Sequence, residues 1–273
     1  MRSLRIAVLV LITAANFARA LTLLPLETED PALLPPGKLE ISLGAHYLDR
    51  VQPVFRDVER NQWSAPELGI SAGLGSRAEA QLRWEAIAAR DVSPGSRFSR
   101  FDTGDARLFT KVRVTSAGDF NRPWVPETAL QFGLKLPNAS FRGGLGTDQA
   151  DFFGHLLAAE DVLGARILTD VGVAILGNPG ATRGQDDVFL YGVAALSPSL
   201  AQWRETKLTL LGEISGSEGS RFENDRRRAR LGLRIGTEWL AGYAGMSVPL
   251  TSRNEDFGIR FGLIWWLQVF SEP

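Results

Sequence analysis

Five arginines crowd one short stretch near the C-terminal end of the chain: Arg226, Arg227, Arg228, Arg230 and Arg234. Guanidinium groups at this density bind anions, or else pair with carboxylates such as Glu213 and Glu238. The two histidines, His46 and His155, would need a serine and an acid within hydrogen-bond reach to make a hydrolase site. The sequence has no G-x-S-x-G elbow to supply the serine. Gly143-Gly144-Leu145-Gly146 has the glycine density of a phosphate cradle but lacks the Lys-Ser/Thr that completes one. It therefore reads as a loop. Asp148, Asp151, Glu160 and Asp161 are acidic enough for calcium but miss the alternating spacing of a calcium loop, so they read as solvated acids. Seven tryptophans would suit aromatic stacking, or the anchoring belt of a membrane protein.

Composition narrows these choices. The chain has 273 residues, no cysteine, and 30 basic against 31 acidic side chains. Thiolate metal sites, cysteine nucleophiles and disulfides are excluded. The near-neutral balance argues against a nucleic-acid partner, and nothing calls for a cofactor. Residues 1–20 read as a secretory leader: Arg2 and Arg5, an apolar run from Ile6 to Ile12, then Ala18-Arg19-Ala20 as the small-x-small cleavage site. Cleavage there would leave 27 basic against 31 acidic residues. Residues 21–37, with Pro25, Pro31, Pro35 and Pro36, are expected to form an extended, poorly ordered periplasmic lead-in.

From 38 to 273 the pattern has period two. Leu39, Ile41, Leu43, Ala45 and Tyr47 alternate with Lys38, Glu40, Ser42, Gly44 and His46, which is the strand signal. Residues 77–90 are rich in helix formers, but only a strand puts Glu79, Gln81, Arg83 and Glu85 on one face. Twelve strands are predicted, near 38–49, 63–74, 77–89, 105–114, 127–137, 149–159, 163–176, 187–196, 205–215, 227–238, 240–250 and 256–270. Most are long enough to cross a bilayer at a tilt, which takes ~9–11 residues. Short turns alternate with long polar loops, as in outer-membrane barrels. Two turns on the short side, 116–126 and 197–205, are longer than this rule allows. The reading is an all-β, transmembrane, antiparallel up-and-down barrel of about 12 strands, with outer-membrane lipid and small solutes as its partners. A soluble β-barrel shares the period, but the long strands and the aromatic-ended last strand, FGLIWWLQVF, favour the membrane.

Parity then assigns faces. Leu163, Ala165, Ile167, Val171 and Val173 point to lipid, and Arg166 and Asp170 to the lumen. Arg228, Arg230 and Arg234 form a lumenal ladder beside Lys207 and Glu213. The ladder reads as only partly neutralised, so an open lumen would favour anionic solutes. Trp266 is the tryptophan whose parity points inward. On these assignments, replacing Arg166 with Gln should cost far less than placing an arginine at Ile167.

Four stretches resemble one family: ETEDPALLPPGKLEISLG (27–44), GISAGLGSRAEAQLRWE (69–85), GDARLFTKVRV (104–114) and ALQFGLKLPNASFRGGLGTDQADF (129–152). They are similar to the outer-membrane barrels of the transporter family tied to the phenol-degradation MetA pathway. The resemblance implies a passive conduit for small molecules, aromatic or apolar compounds among them, with no catalytic residues to carry over. Two alternatives remain: a structural or adhesive barrel with a plugged lumen, and an outer-membrane hydrolase.

The leader gives the first testable outcome. Protein recovered from the outer-membrane fraction should begin Leu21-Thr22-Leu23 on N-terminal sequencing. A soluble product beginning at Met1 would refute export.

Overall fold

A computed structural model describes residues 23–52, 58–92, 99–122, 124–141, 144–177, 185–220, 225–251 and 255–269. The leader and its Ala18-Arg19-Ala20 site lie outside them, as does Gly143. Alternation builds the strands in order: β1 (Lys38–Val51), β2 (Arg60–Gly73), β3 (Ala78–Asp91), β4 (Ser99–Thr103), β5 (Ala106–Thr115), β6 (Glu127–Leu136), β7 (Asp151–Val162), β8 (Ala165–Gly177), β9 (Gln185–Leu196), β10 (Ala201–Trp203), β11 (Thr206–Glu218), β12 (Arg226–Gly236), β13 (Leu240–Pro249) and β14 (Phe257–Gln268). The helix-forming stretch at 77–90 is strand β3, because burying one face of the wall overrides propensity.

Every pairing is antiparallel, each long strand lies beside its sequence neighbours, and β14 pairs with β1. The sheet is therefore a closed barrel. It has twelve staves, because β4 and β5 share one position beside β3 and β9 and β10 share one beside β11. The break in the first shared stave falls at Gly104-Asp105, where Gly104 N–H donates to the Glu85 carbonyl.

The two overlong turns each have a local cause. The turn at 116–126 coils into a 3-10 turn over Asp119–Asn121, and the Asp119 carboxylate accepts from Ser116 N–H at 2.7 Å. The stretch 197–205 contains β10, which prolongs the hairpin with β11 beyond the main sheet.

The outside of the barrel is apolar. Leu43, Leu130, Phe132, Val171, Val173, Val193, Leu231, Leu233, Ile259, Phe261 and Leu263 are all exposed there. Trp124, Trp203 and Trp239 stand exposed at the short-turn rim, where an interfacial belt belongs. No helix among the described residues is long and apolar enough to cross a membrane, so spanning falls to the strands. With lipid outside, Val171, 48% exposed at the middle of β8, is a sensitive probe. Val171→Arg should cost ~2–4 kcal/mol in a reversible unfolding titration in lipid bilayers, and Val171→Leu almost nothing. Equal cost for both would mean that this face does not meet lipid.

Candidate functional site

The inward face is where the chain departs from expectation. The lead-in from Leu23 to Gly37 does not trail outside the barrel; it is packed inside. Leu23, Leu26, Ala32, Leu33 and Leu34 are each at most 5% exposed, and Pro31 is fully buried. Its composition suggested an unattached linker, but the inner wall supplies partners for both its apolar and its charged side chains.

The apolar partners form two patches. Leu23 and Leu26 pack with Ala159 of β7, Leu168 of β8, Ala194 of β9 and Leu211 of β11. Leu34 packs with Ala241 and Tyr243 of β13 and Ile264 and Trp266 of β14. Pro25 nests against two glycines of facing strands, Gly232 and Gly245. A Cβ on Gly232 would lie 2.6 Å from the proline ring, so the wall is thinned where the segment crosses it.

The polar partners are more specific. The segment carries three acids, and each meets an arginine of the wall. Glu27 pairs with Arg230 at 2.6 Å, and Glu29 pairs with Arg83. Asp30 receives both Nε and Nη2 of Arg166, each at 2.7 Å. Two wall acids accept from the segment's own backbone. Glu213 Oε2 takes the N–H groups of Glu27 and Thr28, each at 2.8 Å, and Glu79 Oε2 takes that of Leu34 at 2.7 Å. Lys111 Nζ donates to the Asp30 carbonyl at 2.9 Å. A segment without secondary structure is thus hydrogen-bonded into a low-dielectric space, as buried backbone requires.

These contacts place each residue expected in the lumen. Arg230 is buried between Glu213 and Glu27. Arg228 pairs with Glu255, which is almost fully buried. Arg234 lies over the Trp266 ring, 5.5 Å from its centroid, and Trp266 Nε1 donates to Glu40 at 2.7 Å. Asp170 Oδ1 lies 2.8 Å from His155 Nδ1. Lys207 is half-buried on the β11 face that carries Leu211 and Glu213. The ladder has more countercharge than the neighbouring strands alone supply. Glu255 and Glu27 add countercharges to Arg228 and Arg230, and both come from outside the neighbouring strands. Arg166 is likewise no isolated wall charge. It binds Asp30, Glu127 at 2.8 Å and Asp161 at 3.4 Å, so the expectation that its removal is cheap does not hold.

One signal in the sequence could have revealed the inner segment. Leu168, Leu211, Ile264 and Trp266 sit at polar-face parity, and a wet pore has no use for them.

Among the described residues, one loop also folds inward at the long-loop rim. Leu145, from the glycine-rich loop, packs on Ile87 and Ala89 of the β3 inner face. Asp105 Oδ1 and Asp102 Oδ2 accept from Ala139 N–H and Ser140 N–H at 2.8 and 3.0 Å. Arg60 Nη1 donates to the Gly144 carbonyl at 2.5 Å. Beside the inner segment lies a cavity of about 150 Å³.

For the hydrolase alternative, the structure does bring one serine toward a histidine. A Cβ on Gly258 would touch both Ser247 Oγ and His46 Nε2. No hydrogen bond joins the two among the described contacts, and His46 Nδ1 is 3.9 Å from Glu67. The void beside them is about 10 Å³ and is bounded by Pro25, room for about one water and not for a substrate.

No protein-family model matches the chain, and no curated protein does. Among solved structures it is similar to the translocator domain of the autotransporter NalP from Neisseria meningitidis. The identity is 14% over 85% of this chain and 89% of that one, with a TM-score of 0.53. It also aligns with the beta domain of the Bordetella autotransporter BrkA at 13% identity, covering 84% of this chain and 98% of that one, with a TM-score of 0.43. This chain has the fold of an outer-membrane β-barrel. At these identities the likeness shows the fold alone.

The arginine sockets make a measurable claim. Arg166→Gln leaves Asp30 and Glu127 buried without their countercharge and should cost about 3–5 kcal/mol. Adding Asp30→Asn should return part of that loss. Unfolding titrations in which the double variant is as unstable as the sum of the singles would mean that the two residues do not act as a pair.

Proposed function

We propose that this chain is an outer-membrane conduit for small solutes that its own residues 23–37 hold closed. The observation that carries this reading is how the segment is attached. It docks through three carboxylate–arginine pairs and single backbone hydrogen bonds, and it adds no strand to the sheet. Such contacts can exchange for water and ions one at a time, whereas a segment woven into the sheet could leave only by unfolding the wall. The resemblance to the phenol-pathway transporter family points the same way, toward passive movement of small molecules. Export through the cleaved leader would make this segment the start of the mature chain, free at one end.

With the segment withdrawn, Arg83, Arg166 and Arg230 would each lose a carboxylate, and the lumen would gain positive charge. Fixed charge of one sign in a narrow aqueous path favours counter-ions. The anion preference expected of the ladder thus belongs to the open form.

The test is conductance across a planar bilayer. The chain from Leu21 should be nearly silent. A form lacking 21–34 should conduct and give an anion-selective reversal potential in a salt gradient. The rival reading, a structural barrel with no transport role, draws on the inward-folded loop carrying Leu145. It predicts that both forms stay silent while remaining folded.

A further inference from the structure

The cavity beside the inner segment is lined by two cross-strand pairs of like charge. Arg83 of β3 stands directly opposite Arg107 of β5, and Glu67 of β2 directly opposite Glu85 of β3. Like charges in register repel and weaken a sheet, so each pair calls for a compensating group. Each has one for half of its charge. Arg83 is met by Glu29 of the inner segment, and Glu67 by Arg260 at 3.0 Å. The other charges at the cavity are also matched: Glu27 by Arg230 and Asp105 by Lys135 at 3.4 Å. Arg107 and Glu85 remain. Neither has an ion-pair partner among the described residues, and both line the cavity.

The wall is built irregularly at this level. The β2–β3 register shifts between Ser64 and Glu67, and the stave opposite Glu85 is the one broken at Gly104. A Cβ on Gly104 would lie 2.7 Å from Glu85 Cγ, so the break leaves that side chain its room. Irregularities of this kind re-aim side chains at binding sites. By the diagonal spacing of paired strands, the two positions are ~7–8 Å apart at the backbone. That leaves one cation and one anion unmatched in one chamber, with Arg107 exposed to the lumenal water.

We infer that this chamber binds a small zwitterion, its carboxylate on Arg107 and its ammonium on Glu85. A ligand carrying one charge would satisfy one of the two and leave the other as it stands. A ligand carrying both, separated by a few carbons, completes both like-charge rows at once. Binding takes place above the inner segment and does not need that segment to move. A barrel that never conducts therefore still binds, and failure of the conduit reading leaves this one standing.

The experiment is isothermal titration calorimetry on the full exported chain, folded in detergent, with 4-aminobutyrate, butyrate and butylammonium as probes. Only 4-aminobutyrate should give saturable heat at low ionic strength. Arg107→Gln and Glu85→Gln should each weaken it about tenfold, the size of one lost charge-assisted hydrogen bond. Arg90→Gln, farther along β3, should leave it unchanged. Butyrate binding as well as 4-aminobutyrate, or no heat from any probe, overturns the proposal. Should a variant fail to fold, the ranking of the three probes on the native chain decides by itself.

Discussion

Inside hydrocarbon, a backbone amide without a partner costs several kcal/mol, so a sheet that enters a bilayer must have no edge. Everything else in this molecule follows from meeting that condition between β14 and β1. Twelve residues of β1, Lys38 to Asp49, pair with Gln268 to Phe257 in unbroken register. The closure fixes parity around the whole circumference, because a slip of one residue would turn Glu40 and Trp266 out to lipid and Ile41 and Trp265 into the lumen. It also fixes the lumen's width, and with it the need to fill that width.

The same condition reappears on a smaller scale inside. A segment without secondary structure brings its own unpaired amides into a space of low dielectric. Here the wall acts as the missing strand. Glu213 takes two successive N–H groups and Glu79 a third, while Lys111 gives a hydrogen bond to a carbonyl. Side chains that sequence patterning counts as lumenal charge are thus committed to the backbone of residues 23–37. Glu213 does this while also pairing with Arg230, so one carboxylate ties segment and wall together.

How much of this is legible in the sequence depends on the range of the interaction. Strand parity is local, repeating every two residues, and so β3 could be told from a helix by Glu79, Gln81, Arg83 and Glu85 alone. The staves, the closed antiparallel order and the inward face of Arg166, Asp170, Arg230 and Trp266 all come from that one signal. The inner segment has no period. The wall carboxylates that take its amides lie 45 to 186 residues away in the chain, and its prolines and acids read equally well as a solvated linker. Strand β10 and the turn at Asp119–Asn121 were missed for a related reason, since each is too short to show a period. The pairing of Arg228 with Glu255 was missed because the acid comes from a loop.

The arithmetic of the inner segment gives its acids a meaning that their positions in sequence do not. Glu27, Glu29 and Asp30 are its three charged side chains, and they meet Arg230, Arg83 and Arg166 on separate arcs of the wall. Such a segment is a trivalent counter-ion tethered at Gly37. Its tether raises the local concentration of the second and third carboxylates once the first is seated. No free monovalent anion competes on those terms, so salt alone displaces it poorly. Loss of a single pair weakens all three, because the remaining two must then hold the chain against its regained conformational freedom. An arginine-rich lumen and an acidic N-terminal segment are therefore one device. The wall carries the basic groups and the segment carries the carboxylates that occupy them.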